Sequence, residues 1–131
     1  MAYVDGFVIA VPKKNMGTYR TMARWGKKTW MKYGALEYYE CLGDDLKVKA
    51  GCGIPFTKLA KTRKDEAVVF AFIVYKSRKQ RDAINKKVMS DPSMKAMSSM
   101  KMPFKMDRFS YGGFKSFVDA RRKVTSRGRR R

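Results

Sequence analysis

A chain of 131 residues with a hydrophobic share of 44% has enough apolar mass for one compact domain, which argues against wholesale disorder. Its 31 lysines and arginines against 11 acids give a net charge of +20, a field that draws phosphate polymers and anionic surfaces without specifying a fold. Histidine is absent, which removes the commonest general base and zinc ligand, and no apolar run reaches the roughly eighteen residues of a membrane helix.

The first segment, AYVDGFVIAV (2–11), is apolar on both faces and closed by Pro12, the pattern of an interior strand. Asp5 interrupts this run, so no secretory signal is read and the chain is expected to be cytosolic, with Cys41 and Cys52 as reduced thiols. Asn15 is placed to cap a helix. At 100° per residue, Met16, Tyr19, Met22, Ala23, Gly26, Trp30 and Tyr33 fall in one stripe about 120° wide. Arg20, Arg24, Lys27, Lys28 and Lys32 occupy the opposite side, Trp25 and Met31 lie outside the stripe, and Gly34 supplies a C-terminal cap. In ALEYYECLGDD (35–45) the residues alternate, with Leu36, Tyr38, Glu40 and Leu42 on one face and Glu37, Tyr39 and Cys41 on the other, as in a half-buried strand.

Residues 46–61, with Gly51, Gly53 and Pro55, read as a loop with a short strand near Phe56. AVVFAFIVY (67–75) is the most apolar run and is expected to be a central strand. Ser77 opens a helix that places Ile84 and Val88 one turn apart and ends at Asp91-Pro92. A methionine-rich stretch (92–103) precedes a last strand over 105–118, where Gly112-Gly113 point to a bulge or a close backbone approach. The order β-α-β-loop-β-α-β is the split βαβ of an α+β, ferredoxin-like βαββαβ plan: an antiparallel sheet with both helices on one face. Since the first and third strands are apolar on both sides, the uncovered face needs a partner, and a homodimer is expected.

Two classes of function fit these residues. The acid-free helix face (Arg20, Arg24, Lys27, Lys28, Lys32), with Trp25 as a stacking surface, suits non-specific binding of nucleic acid or another polyanion. The tail after Ala120, treated as a separate disordered arm (119–131), adds seven positive charges, among them Arg121, Arg122, Arg129, Arg130 and Arg131, and the rest of the chain still carries +13. Both features also suit a generally basic, solvated protein. The other class is a cofactor-independent enzyme or small-molecule binder with a pocket between sheet and helices. Its candidate polar groups are Asp5, Glu37, Glu40, Arg108, Tyr38, Tyr39 and Tyr111; a carboxylate in an apolar pocket becomes a stronger base, although salt-bridged roles suit the same residues. Cys41 reads as a packing thiol, and Met94, Met97, Met100 and Met102 as flexible filler more than soft-metal ligands. A structural or regulatory homodimer is the third reading. No cofactor, metal or membrane is implied.

Several stretches resemble one family. YVDGFVIAVP, YGALEYYECLGDD, DEAVVFAFIVYKSRKQRDA, VMSDPSMK, MPF and YGGF, spread over residues 3 to about 118, look like the YbaA-like bacterial proteins. The resemblance implies a ferredoxin-like protomer of the dimeric α/β-barrel superfamily, with two sheets packed face to face and a cavity in each protomer. That superfamily includes small-molecule monooxygenases and haem-degrading enzymes, but the YbaA-like proteins supply no catalytic residues to transfer. This chain departs from them in its acid-free first helix and its arginine-rich tail.

Overall fold

The computed structural model describes residues 1–122. Strand β1 (Tyr3–Pro12) leads through a 3-10 turn, Lys13–Asn15, into helix α1 (Met16–Lys32) and strand β2 (Glu37–Leu42). A one-turn helix α2 (Phe56–Leu59), strand β3 (Glu66–Tyr75) and helix α3 (Arg78–Met89) follow. The short helix α4 (Met94–Ser98), a second 3-10 turn (Met106–Arg108) and strand β4 (Phe109–Lys115) complete the order.

The two runs that are apolar on both parities, β1 and β3, form the centre of the sheet, antiparallel from Tyr3 opposite Tyr75 to Pro12 opposite Glu66. β4 lies on the free edge of β1 and β2 on that of β3, giving the order β2-β3-β1-β4 with every neighbouring pair antiparallel. Both α1 and α3 pack on the face that carries Tyr3, Ile9 and Val11 of β1. Tyr3, Ile73 and Tyr75 meet Ile84 and Val88 of α3 together with Trp25 and Trp30 of α1. Ile9, Val11 and Val69 meet Tyr19 and Phe104. Val11, Tyr75 and Val88 are fully buried, and removing each from water contributes on the order of 2 kcal/mol.

The second sheet face is apolar too, but only its Ala10–Val68 end is buried. Phe70, Tyr39 and Phe114 there are 44%, 48% and 62% exposed. Tyr39 stacks on Phe72 at 4.9 Å, and Phe56 of α2 tilts onto Phe70 at 6.2 Å.

Local chemistry explains the departures from expectation. Asn15 stands at the N-cap position without capping: its side-chain amide donates instead to the Pro103 carbonyl at 3.0 Å, tying α1 to the methionine-rich segment. The strand expected near Phe56 is helix α2, begun at Pro55. The last strand is shorter than 105–118, because residues 106–108 form the 3-10 turn and pairing with β1 stops at Lys115. Gly112 and Gly113 make no bulge, since the register runs unbroken through Gly6 and Asp5. Gly113 is instead a close approach: a Cβ there would overlap the Tyr3 hydroxyl and stand 2.9 Å from its ring carbons. Cys41 is exposed on the second face and is not a packing thiol. Gly34 does cap α1, with φ at +108° where only glycine is unstrained.

Candidate functional site: an aromatic cavity under a methionine wall

Between the sheet and α1 lies a cavity of about 520 Å³. Phe7 of β1, Tyr38 and Glu40 of β2, and Ala71 and Ile73 of β3 form its floor, because these positions share the inward parity of the sheet. α1 contributes Tyr19, Met22, Trp25 and Trp30. The segment after α3 closes the side with Met94, Met97, Met102, Phe104 and Met106. Met89, Met102 and Met106 line the space yet remain 57%, 41% and 62% exposed, which marks its mouth. Thioether side chains are unbranched and polarizable, so this wall adapts to the shape of a guest.

The lining is almost wholly apolar, with Glu40 its one acid. Tyr19 donates its hydroxyl to Glu40 Oε1 at 2.6 Å and Tyr38 donates to Oε2 at 2.8 Å. Burial, then the adjacent carboxylate, pushes both phenols well above their ordinary value, so they stay neutral donors. A carboxylate has about four lone-pair sites, so Glu40 retains acceptor capacity toward the cavity. Among the described residues no lysine or arginine forms an ion pair with it.

A second network fixes the methionine wall. Asp91, at the end of α3, accepts from the Ser93 amide at 2.9 Å and the Ser93 hydroxyl at 2.5 Å through Oδ1. Its Oδ2 accepts from Tyr33 at 2.6 Å and from Lys32 at 2.9 Å. Ser93 in turn accepts from Trp25 Nε1 at 2.7 Å, so one carboxylate joins the wall, α1 and the aromatic lining.

Of the expected pocket residues, the cavity brings together only Tyr38 and Glu40. Asp5 is buried on the helix side of β1 but paired with Arg81 at 3.0 Å; burial pushes its carboxyl up and Arg81 partly offsets that. Arg81 also donates to the Tyr3 hydroxyl at 3.2 Å, which makes this a structural cluster. Glu37 lies on the second face, 3.2 Å from Arg121. Arg108 pairs with Glu66 and donates to the Lys61 carbonyl at 2.7 Å, lining a separate polar space of about 160 Å³. Tyr39 is on the second face, and Tyr111, 69% exposed, lies tilted against Phe109 at 4.9 Å.

The basic helix face is partly spent. Trp25 is no outward stacking surface: it turns into the cavity, edge-on to Trp30 at 5.9 Å. It lies outside the 120° stripe because the methionine wall wraps beyond the sheet and widens the covered arc of α1. Lys32 is held by Asp91, while Arg20, Arg24, Lys27 and Lys28 are exposed. Arg121 and Arg122 are exposed as well, and Arg129, Arg130 and Arg131 lie outside the described residues. Met94, Met97 and Met102 serve as cavity wall, and Met100 does not line it. Among the described residues no three His, Cys, Asp or Glu side chains gather as metal ligands, and no helix is long and apolar enough to cross a membrane.

The residues lining this cavity fall mostly within the stretch that matches known proteins. Residues 2–106 match the family described as a protein of unknown function, DUF1428. The uncharacterized protein YbaA of Escherichia coli K12 is 44% identical over 119 residues, covering 91% of this chain and 99% of the relative. The uncharacterized protein YbaA of Shigella flexneri matches to the same extent. The aligned length spans strands and cavity wall alike, and the chain belongs to the YbaA-like, DUF1428 family.

Proposed function

We propose that this protein binds an apolar small molecule in the cavity between the sheet and α1, with Glu40 and its two tyrosines orienting the guest. The observation that supports this most is the combination of a 520 Å³ space with seven aromatic and six methionine side chains around a single carboxylate. Pockets of this size and lining bury most of a drug-sized molecule and use few polar groups for orientation. Whether a reaction follows depends on the guest; Glu40 is the group placed to accept its proton. Apolar ligands from a diverse set should raise the melting temperature by several degrees at saturation. Ala23→Trp, which fills the space from α1, should abolish that response while keeping the fold. If no compound shifts wild type, the reading fails.

The working unit is proposed to be a homodimer of ferredoxin-like protomers joined through the second sheet face. The strand order β2-β3-β1-β4, the helices on one side and the exposed Tyr39, Phe70 and Phe114 on the other support it. Two such faces pack as aligned sheets, each burying what the other leaves exposed. Because each copy carries +20, association should tighten as salt rises. Sedimentation should give a dimer at tens of micromolar and a monomer for Phe70→Glu; a monomeric wild type would sink the proposal.

Polyanion binding stands as the second reading, carried by the exposed Arg20, Arg24, Lys27 and Lys28. With Trp25 turned inward and Lys32 paired, it offers charge without a stacking platform. Its signature is an affinity for RNA or DNA duplexes that falls steeply with salt.

A further inference from the structure

We infer that the guest of this cavity is an organic cation: an ammonium group set against Glu40, carried on an apolar body that lies among the aromatic and methionine side chains. The inference rests on the small-molecule reading above and names its ligand class. Its starting point is an asymmetry of charge. The chain holds 31 lysines and arginines, and the other carboxylates with a structural role, Asp5, Glu66 and Asp91, each pair with one. Glu40 lines an apolar space, has no cationic partner among the described residues, and is held by two phenols instead. Phenols satisfy hydrogen-bonding needs and leave the charge uncompensated. In a protein so rich in cations, a carboxylate that lines an apolar cavity with no lysine or arginine paired to it among the described residues favours a cationic guest.

The surroundings suit the same occupant. Trp25 and Trp30 stand edge to face at 5.9 Å, and Tyr38 tilts on Trp30 at 6.3 Å beside the carboxylate. Aromatic faces attract an ammonium within about 6 Å of their centroids, more strongly where water is excluded. An anionic guest would meet the Glu40 charge and the same ring faces with no unengaged donor among the described lining residues, since Tyr19 and Tyr38 donate to Glu40 and Ser98 donates to the Lys95 carbonyl. The indole N–H groups do not serve a guest, since Trp25 donates to Ser93 and Trp30 to Asn85.

A matched trio tests this: 6-phenylhexyltrimethylammonium, 6-phenylhexan-1-ol and 6-phenylhexanoate, titrated at about 0.15 M salt, where long-range repulsion from the protein is screened. Both tryptophans of the chain line the cavity, so their fluorescence reports occupancy. The cation should bind about tenfold more tightly than the alcohol, and the carboxylate weakest. Glu40→Gln should remove the cation's roughly tenfold advantage over the alcohol measured on the same variant, and a far-UV circular dichroism spectrum like that of wild type shows that the variant is folded. Equal or tighter binding of the alcohol or carboxylate overturns the cation assignment and leaves the small-molecule reading standing. A cation preference that survives Glu40→Gln overturns it too, since selection would then lie elsewhere. Binding of none of the three to wild type removes this inference, and the wider ligand screen then decides the small-molecule reading separately.

Discussion

Replacing Asp91 by asparagine is expected to lower the melting temperature by on the order of 10 °C at neutral pH and to loosen the methionine wall. Asp91 is 7% exposed and accepts four hydrogen bonds, two on each oxygen. An asparagine keeps one acceptor oxygen, while its NH₂ must face two donors, Tyr33 and Lys32 on one side or the two Ser93 groups on the other. Whichever way the amide turns, one arm of the network opens. The pH dependence is a sharper signature. Hydrogen bonds from Ser93, Tyr33 and Lys32 hold the Asp91 carboxyl well below its ordinary 3.8. A carboxyl depressed in the folded state contributes stability that is complete above its unfolded value and is lost as pH falls toward the folded one. The gap between wild type and variant should therefore stay constant from about pH 8 to 5 and shrink below about pH 4. Thermal melts followed by circular dichroism would show it. A variant melting within about 2 °C of wild type, or a gap unchanged at pH 3, would remove Asp91 as the anchor. Tryptophan emission should shift to the red in the variant, because Trp25 is bonded through Ser93 to the same carboxylate.

The strands and α1 were legible because their signals are local. β1 and β3 are apolar on both parities wherever they sit, and the Tyr19–Gly26–Trp30 stripe repeats at the helical period. The alternation in β2 also put Tyr38 and Glu40 on one face. The cavity was not legible to the same degree. Its wall has no period, and Met94, Met97, Met102 and Met106 gain a common purpose only once α4 and the turn before β4 fold against α1. Tyr19 was visible as core but not as the partner of Glu40, twenty-one positions away, because the contact depends on how α1 crosses the sheet. Asp91 looked like the stop of a helix. Its part in the wall needs Tyr33 and Lys32, which lie nearly sixty positions earlier. The broad charge of the chain, by contrast, was the loudest signal in the sequence and says least about this site, whose only charged lining residue among those described is the acid Glu40.

Gly26→Ala offers the second large effect and separates packing from propensity. In an exposed helix the change stabilises by about 1 kcal/mol. Here a Cβ would overlap the Tyr38 hydroxyl and stand 3.1 Å from Cζ. That ring is no free end: it is hydrogen-bonded to Glu40 at 2.8 Å and tilted on Trp30 at 6.3 Å. Overpacking and the lost hydrogen bond outweigh the helical gain, and a net loss of about 1–2 kcal/mol is expected in urea unfolding. Tyr38→Phe alone should cost about 1 kcal/mol, the worth of its hydrogen bond. Together the two changes should cost less than their sum by about 1 kcal/mol, because removing the hydroxyl clears the space the new methyl needs. Additive losses, or a stabilising Gly26→Ala, would mean that Tyr38 gives way at no cost. In that case Tyr19 alone would hold Glu40, and the carboxylate would be too loosely placed to orient a guest.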